Sequence, residues 1–461
     1  MSGLPASLAA VLAVLLVLAA AGAAAARALF PSGRRFAAER AGWSLAAGLA
    51  GAALVEGACL TGGAAPSRWI VLGGVVLLAA LGIARPVPSA PGFDPRTTPP
   101  AGVSRFAAAW LPAAGALVGI GVALYALRAL TEPMWANDYL AIWGLKGRTL
   151  FASGAYPAWL RDPAVSRFSH PEYPLGLPLL YAAVATLLGR WDDHAGALLF
   201  PAIQCGTLLV LAGWLRRRGA SREIAWSAAA ILALFEPLYS GFLTGMADVP
   251  LSAALLLFGT ALSDAVDDAD AGAIRRLAAA SVFAGALKNE GLFLAAAGAI
   301  LAFAAEPSRG RRVRIGAAAF VPALAVAGWH RAALGPATLG DFDFGLLAPA
   351  RWGELAARLF EAIGAAATLA APAWPILLCA AVLLGAGRRR PDSLRLLGLV
   401  AAAAAAYVLL PAFAVRGPLW LASTTLPRTT GALAPLAAAA IALRWSGETR
   451  SNFPAGNNEG T

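Results

Sequence analysis

The sequence predicts an all-α polytopic membrane protein, and three observations support that prediction. Hydrophobic residues make up 59% of the 461 residues and charged residues only 13%, and the mean hydropathy is +0.69. Soluble domains usually carry about 25% charged residues. Long apolar runs recur along the whole chain. The net charge of the chain is +11, and its positive residues lie in short loops between the apolar runs, where positive charge orients membrane helices. A secreted enzyme, a nucleic-acid-binding protein and a disordered scaffold are thereby excluded.

Apolar segments of about 20 residues have the length of a membrane-spanning helix. We expect about 11–13 transmembrane helices, for which the segments are 4–26, 42–62, 69–84, 106–128, 195–214, 223–240, 248–263, 315–333, 357–385, 396–413 and 429–443. The first segment has no basic residue before Arg27, which favours a retained helix over a cleaved signal peptide. The polar tail 446–461 is predicted to be disordered.

Arginine clusters in the short loops predict the orientation, because positively charged loops tend to stay in the cytoplasm. The membrane helices can alternate in direction and keep the arginine clusters in the cytoplasm if two conditions are met. Segment 174–189 must lie in the interface as a juxtamembrane helix. Segment 276–304 must enter and return with a break at 287–291, since one helix of that length would measure about 43 Å against a core of about 30 Å. A single tilted helix with one misplaced basic flank is the alternative.

This orientation brings five separate stretches to the outer face. They are the loop 129–173, which is rich in Trp and Tyr, the turn 241–248, the tip 287–291, and the loops 335–356 and 414–428. From Asp138 to Leu150 the first loop reads as an amphipathic helix with Trp135, Tyr139, Ile142 and Trp143 facing lipid. Convergence of polar stretches on one face predicts a site at the membrane surface.

Two acidic residues are candidates for chemistry at this face. Asp138 begins the helix of the first loop, where a carboxylate is able to accept a proton from an attacking hydroxyl. Asp248 stands at the outer start of a span, and an ionisable residue in such a position is a functional candidate. For both residues the alternative is a helix N-cap.

Three further ionisable residues belong to the same face. Lys288 and Glu290 lie in an apolar stretch where burial is costly, and they are two positions apart, so they do not share a helix face. That spacing favours a broken tip over a simple ion pair. Arg428 stands at the outer start of the last span and is able to hold a phosphate with its two-pronged guanidinium; an interfacial anchor is its alternative. The three cysteines and three histidines are too scattered to predict a metal site.

Several of these stretches together resemble GT-C membrane glycosyltransferases. Residues 135–146 (WANDYLAIWGLK) resemble the first-loop motif of the family, and residues 170–179 (HPEYPLGLPL) resemble its Tyr-Pro motif. Residues 246–250 (MADVP), 287–291 (LKNEG) and Pro427-Arg428 resemble its later outer motifs. The closest likeness is to the bacterial Rgt-type sugar transferases, with aminoarabinose transferases and protein O-mannosyltransferases as more distant relatives.

The resemblance covers about residues 106–440 and implies a domain organisation and an activity. Residues 1–105 would be additional N-terminal transmembrane helices, and 106–445 a GT-C-like catalytic domain. The activity implied is an inverting transfer of a sugar from a polyprenyl-phosphate donor to a glycan, lipid or protein hydroxyl, in the bacterial inner membrane, on the periplasmic face.

The resemblance also implies a role for each site residue. Asp138 would be the general base, and Lys288 and Arg428 would hold the donor phosphate. The substrate pocket would contain Lys146, His170, Glu172, Tyr173, Asp248 and Glu290. Many relatives carry two adjacent acids where this chain has Asn137 and Asp138, so a divalent cation stays open and no metal ligand is assigned.

Two other functions remain open at this point. A flippase or transporter of lipid-linked glycans is the first, although such proteins favour ionisable groups near the midplane and internal repeats. An O-antigen ligase or polymerase is the second, although its long outer loop typically comes late in the chain.

Overall fold

The structure, a computed structural model, describes residues 4–30, 37–84, 105–268, 271–335, 342–369 and 390–451. These ranges are mainly helical and contain no strand, apart from one isolated antiparallel bridge between Phe342 and Ala414. The helices of ten or more residues are α1 (Leu4–Ala25), α2 (Ala37–Thr61), α3 (Arg68–Ala84), α4 (Arg105–Thr131), α5 (Gly144–Ser153), α6 (Gly176–Leu188), α7 (Asp193–Arg217), α8 (Arg222–Ala233), α9 (Asp248–Asp268), α10 (Ala271–Leu287), α11 (Asn289–Ala305), α12 (Arg309–Leu334), α13 (Trp352–Leu369), α14 (Pro391–Leu409), α15 (Pro418–Gly431) and α16 (Ala434–Ser451).

Seven of these helices are long and apolar enough to cross a membrane, or eight if the bent pair α15 and α16 forms one span. They are α1, α2, α4, α7, α9, α12 and α14, the first and last counted with the short turns that follow them. The all-α polytopic membrane class is therefore confirmed, whereas the described part of the chain holds fewer spans than the 11–13 expected.

Particular segments account for the lower number of spans. The predicted span 223–240 is wrong in length, because α8 ends at Ala233, shortly before Glu236 and Pro237. The predicted span 357–385 lies only partly within the described residues. At the C-terminus α16 continues to Ser451, so the first residues of the predicted disordered tail are helical and the rest lie outside the described ranges.

Segment 276–304 forms two helices, as the charge pattern predicts. Only one residue, Lys288, separates α10 from α11, and its backbone is extended (φ −153°, ψ 158°). Gly291 then packs so closely on the backbone of Ala284 that a side chain there would collide with the carbonyl group. Glycine is thus required where the chain turns back.

The contacts of both helices with α9 show that α10 and α11 run in opposite directions. Arg276, near the start of α10, donates to Asp264 near the end of α9 (3.1 Å). Arg311, just beyond the end of α11, donates to the carbonyl of Val266 (2.9 Å). Lys288, between the two helices, instead lies at the start of α9. The tip and the two flanks of the pair are therefore at opposite ends of the bundle.

Segment 174–189 does not form a span, which agrees with the prediction. Its helix α6 has 13 residues and is about 20 Å long. Leu179 lies against Gly57 of α2, and Thr186, two turns later, donates to the neighbouring Glu56 (3.2 Å). Positions two turns apart on α6 therefore contact adjacent residues of α2, so α6 crosses α2 at this point. It is buried along most of its length between α2 and α5.

One end of the bundle is held together by buried ion pairs, and we call it the basic end. Asp264 accepts hydrogen bonds from Arg217 (3.1 Å to Nη1), Arg276 and Trp214 Nε1 (3.1 Å). Arg217 also makes a two-pronged contact with Glu39 (2.8 and 2.9 Å). Further arginines surround this centre: Arg218, Arg311, Arg390 and Arg395.

The N-terminal helices pack closely against the rest of the bundle. Gly22 of α1 and Gly48 of α2 allow the two backbones to touch, which is how small residues join membrane helices. Gly42 of α2 lies against Gly206 of α7 in the same manner. Because α2 also contacts α6, the helices before residue 105 share an extensive interface with those that follow.

We expect Asp264→Asn to destabilise the protein by about 3–5 kcal/mol, because it leaves buried guanidinium groups without their shared carboxylate. Asp267→Asn, at the exposed rim of the same network, is the matched control and should cost about 1 kcal/mol or less. Thermal unfolding of the purified protein in detergent measures both. Equal losses for the two variants would contradict the central role of Asp264.

Candidate functional site

A row of charged side chains lies at the end of the bundle opposite the basic end, which we call the site end. Asp138 is hydrogen-bonded to Arg428. Lys288 Nζ lies 3.4 Å from Asp248 Oδ1 and 3.0 Å from Glu290 Oε1. Arg428 is within electrostatic range of Asp248, which connects the two groups of ion pairs. The structure thus brings together five residues that are separated by up to 290 positions in the sequence.

Asp138 contacts Arg428 from the start of a helix that is not a regular α-helix. Residues Tyr139–Trp143 form a π turn before α5, and the side chain of Asp138 makes no capping hydrogen bond. The N-cap alternative is therefore not supported. Single π turns inside helices are frequent at functional sites.

The prediction that this segment faces lipid is wrong for three of its four aromatic or aliphatic residues. Tyr139, Ile142 and Trp143 are buried, and only Trp135 is exposed. These three side chains do share one face, but protein covers that face: Trp143 stacks on Tyr173 and Tyr139 packs against Tyr181. The hydroxyl of Tyr139 donates to Asp193 (2.5 Å), which fixes the segment against the start of α7.

The turn before α9 depends on a glycine. Gly245 has a left-handed backbone (φ 96°), and the ring of Tyr139 packs against it. Its carbonyl accepts a hydrogen bond from the hydroxyl of Tyr181 (3.0 Å). Met246 follows, with its sulfur 3.7 Å from Nη1 of Arg428, and places Asp248 at the start of α9.

Asp248 and Lys288 are only 1% and 3% exposed. A buried charge is costly without a partner, so the carboxylate of Asp248 and the ammonium of Lys288 stabilise each other in the buried state. The expectation that Lys288 and Glu290 would not pair is wrong, since the extended backbone at Lys288 removes the helical geometry on which that expectation rested.

Tyr407 is a site residue that the sequence reading missed. It is buried in α14 and interacts electrostatically with Glu290, Lys288 and Asp248. A signal exists in the sequence, because Tyr407 directly follows six consecutive alanines in an otherwise apolar helix.

A second group of predicted pocket residues lies beside the charged row. Lys146 Nζ donates to the carbonyl of His170 (2.6 Å), and Nδ1 of His170 lies 2.8 Å from Glu172 Oε1. Tyr173 stacks on the ring of His170 at 5.1 Å and on Trp143 at 5.3 Å. His170 takes a left-handed backbone (φ 49°), a strained conformation that the stacking and hydrogen bonds hold in place.

Tyr173 connects the second group to the charged row. It lies within electrostatic range of Lys288, Arg428 and Glu290. Burial raises the pKa of the Tyr173 hydroxyl above its usual value, so the group keeps its proton and remains a hydrogen-bond donor.

Lys146 is completely buried in the segment between α4 and α7. Burial lowers the pKa of its amine to about 7, and the nearby Glu172 carboxylate opposes part of that shift. Near neutral pH this lysine is therefore protonated in only part of the molecules.

Two cavities adjoin the site. The larger is an apolar groove of about 120 Å³ that follows α2 from Gly42 to Leu54, about 18 Å, and reaches Leu287 and His330 near the site. The smaller, which we call the outer cleft, has about 90 Å³ and is lined by Glu172, Tyr173 and Asn289 among others. One space suits a hydrocarbon chain and the other a polar group.

No group of three or more His, Cys, Asp or Glu side chains in the described ranges is arranged to hold a metal ion. The three carboxylates of the charged row each contact an arginine or a lysine. These residues therefore do not form a divalent-cation site of carboxylates alone.

Fold and site together define an all-α polytopic membrane protein with a partly buried charged row beside an apolar groove. No family model matches the chain, and no match was found among curated proteins or solved structures.

We expect Lys146→Met to change how stability depends on pH. The lowered pKa means that the unfolded chain binds a proton that the folded protein releases above about pH 7, so the stability of the wild type rises from there toward pH 10. The slope from this group is at most about 1.4 kcal/mol per pH unit. Melting temperatures between pH 6 and pH 9 should therefore rise more for the wild type than for Lys146→Met.

The matched control for that measurement is Arg148→Met, an exposed position in the same helix. It should keep the pH dependence of the wild type. The same slope in the wild type and Lys146→Met would contradict a neutral buried amine.

Proposed function

We propose that the protein is an inverting glycosyltransferase that moves a sugar from a polyprenyl phosphate to an acceptor hydroxyl. The observation that supports this most directly is the contact of Asp138 with Arg428 in a charged row beside an apolar groove. An anionic head group and a long hydrocarbon tail are the two features that such surroundings suit. The resemblance to GT-C glycosyltransferases leads to the same activity.

In the proposed reaction, the acceptor hydroxyl attacks the anomeric carbon from the face opposite the phosphate. Asp138 takes the hydroxyl proton as general base. The new carbon–oxygen bond forms while the bond to the phosphate oxygen breaks, and polyprenyl phosphate leaves as a dianion. Arg428 and Lys288 offset the charge that develops on this leaving group.

The contact between Asp138 and Arg428 suggests how the donor prepares the base. A phosphate is a good two-pronged partner for guanidinium. When the donor phosphate takes up part of Arg428, the carboxylate of Asp138 is free to accept a hydrogen bond from the acceptor. Donor binding therefore precedes activation of the acceptor hydroxyl.

The remaining residues form the substrate pocket of this proposal. Asp248 and Glu290 hold Lys288 in position through their ion pairs. Lys146, His170, Glu172 and Tyr173 form one connected wall beside the outer cleft, in which Tyr173 offers a hydroxyl donor. The acceptor is a glycan, lipid or protein, and no metal ligand is assigned.

A lipid-linked-glycan flippase is the second candidate, and the length of the groove along α2 favours it. A flippase would move the lipid without cleaving it. Its ionisable groups would be expected along the path near the midplane, whereas the charged row of this protein lies at one end of the bundle.

We place the protein in a bacterial inner membrane, with the site end facing the periplasm, because the basic end carries the positive charge that is retained in the cytoplasm. Gly310→Cys and Gly353→Cys test this, since both positions have open space around an added side chain. Gly310 lies at the basic end. Gly353 is near Arg351, which forms an ion pair with Asp343. The backbone N–H of Asp343 donates to the carbonyl of Phe413, just beyond the end of α14, so Gly353 belongs to the site end.

In a variant without the three native cysteines, a membrane-impermeant maleimide should label Gly353→Cys in intact spheroplasts. It should label Gly310→Cys only after permeabilisation. The opposite pattern would reverse the proposed orientation.

Asp138→Asn should reduce sugar transfer by about 10²- to 10⁴-fold, because asparagine cannot take up the hydroxyl proton. Asp162→Asn is the matched control: this exposed residue caps a short helix, and asparagine caps equally well. Transfer is measured as recovery of the missing envelope glycan in a deletion strain complemented with each variant at equal membrane abundance. Wild-type transfer by Asp138→Asn would remove Asp138 as the base.

A further inference from the structure

His330 is a buried residue of α12 for which the proposed reaction has no role so far. Its side chain lies near the site end of the bundle and is 5% exposed. Its ring lies 4.8 Å from that of Trp329, centre to centre. A polar ring in such surroundings requires hydrogen-bond partners for both of its nitrogens.

The hydrogen bonds of His330 fix where its proton lies. The backbone N–H of Leu175 donates to Nδ1 (3.3 Å), so Nδ1 is an acceptor without a proton. The ring proton is therefore on Nε2. This N–H is buried and has no acceptor among the described residues. An unmade buried hydrogen bond is unfavourable, so Nε2 is a donor without a partner in the described part of the chain.

His330 lies between the two cavities of the site. It lines the apolar groove and also the outer cleft, and no other residue in the described ranges lines both. The same boundary is formed on one side by Gly176 and Pro174, and on the other by Leu287 and Asn289. A molecule with its tail in the groove and its head in the cleft must therefore pass His330.

Groups of both signs surround this boundary: the Glu172 carboxylate lines the outer cleft and is paired with His170, whereas the cations are available to an anion. Lys146 acts electrostatically on His330 from the segment between α4 and α7. Arg331, the next residue of α12, lines the outer cleft and makes no ion pair within the described ranges. Arg428 and Lys288, by contrast, already contact carboxylates.

We propose that the Nε2–H of His330 donates a hydrogen bond to a phosphate oxygen of a lipid whose hydrocarbon chain lies in the apolar groove. The inference rests on the proposed function in that it assigns a binding residue to the lipid-linked donor. It adds a contact at the groove boundary to those of Arg428 and Lys288. His330 thus adds to the preference for a phosphorylated lipid over an uncharged lipid of the same chain.

Binding to the full-length protein in nanodiscs tests this without any turnover. The probes are farnesyl phosphate and farnesol, which share the chain and differ in the phosphate. His330→Phe keeps a ring of similar size and removes the donor. It should weaken farnesyl phosphate binding about tenfold, as expected for one hydrogen bond to a charged group, and leave farnesol binding unchanged.

Two further variants complete the design. His330→Gln retains an N–H donor and should recover most of the affinity for farnesyl phosphate. His194→Phe removes an exposed histidine at the start of α7 and should bind both probes as the wild type does. Thermal unfolding of each variant establishes that the protein is folded before binding is compared.

The outcomes separate this inference from the proposed function. Equal weakening of both probes by His330→Phe would show a purely structural role and overturn the inference. Unchanged farnesyl phosphate binding by His330→Phe would also overturn it. Binding is measured without an acceptor, so these results do not depend on sugar transfer. If Asp138→Asn retained sugar transfer, that result would overturn the proposed reaction and leave the binding inference unaffected.

Discussion

Burial of charge within an apolar bundle is the constraint on which the arrangement of the site depends. Asp248 and Lys288 are almost fully buried and lie 3.4 Å apart. Either charge alone would be strongly unfavourable there, so the start of α9 and the break between α10 and α11 have to meet. Arg428 extends this fixed point to α15, and through Asp138 to the segment before α5. Four separate elements are thereby held at one position.

The same constraint acts at the basic end, where Asp264 joins Arg217 and Arg276. Between these two charged layers the helices contact one another mainly through apolar and small side chains. Such contacts lack the directionality of ion pairs, and in this middle region the groove beside α2 stays open. The fold therefore combines fixed ends with an apolar space that runs between them.

The sequence predicts features that depend on composition and fails for those that depend on distant partners. Apolar length predicts the membrane class, and the arginine flanks of 276–304 together with its excessive length predict the break at Lys288. The predicted lipid-facing side of the Tyr139–Trp143 segment is wrong, because residue spacing indicates a shared apolar face but not whether lipid or protein covers it. The contact of Asp138 with Arg428 links residues 290 positions apart, and no local pattern specifies it. No pattern in the sequence marks His330 as a site residue. Its proposed role rests on the structure, in which Nε2 has no partner among the described residues and the side chain lines two cavities.

In the proposed reaction, negative charge moves from Asp138 to the lipid phosphate, and the contact between Asp138 and Arg428 bears on how that charge is stabilised. The three carboxylates and two cations of the row carry one net negative charge, and a glycosyl polyprenyl phosphodiester adds one more. After transfer, Asp138 holds a proton and the lipid phosphate is a dianion, so the total is unchanged. One unit of negative charge has moved from the carboxylate to the phosphate. A guanidinium in contact with both groups stabilises the charge at the start and at the end of this movement, which a cation beside only one of them cannot do. Lys288, already between two carboxylates, is less suited to that role, and Arg428 is therefore the cation on which the chemistry depends.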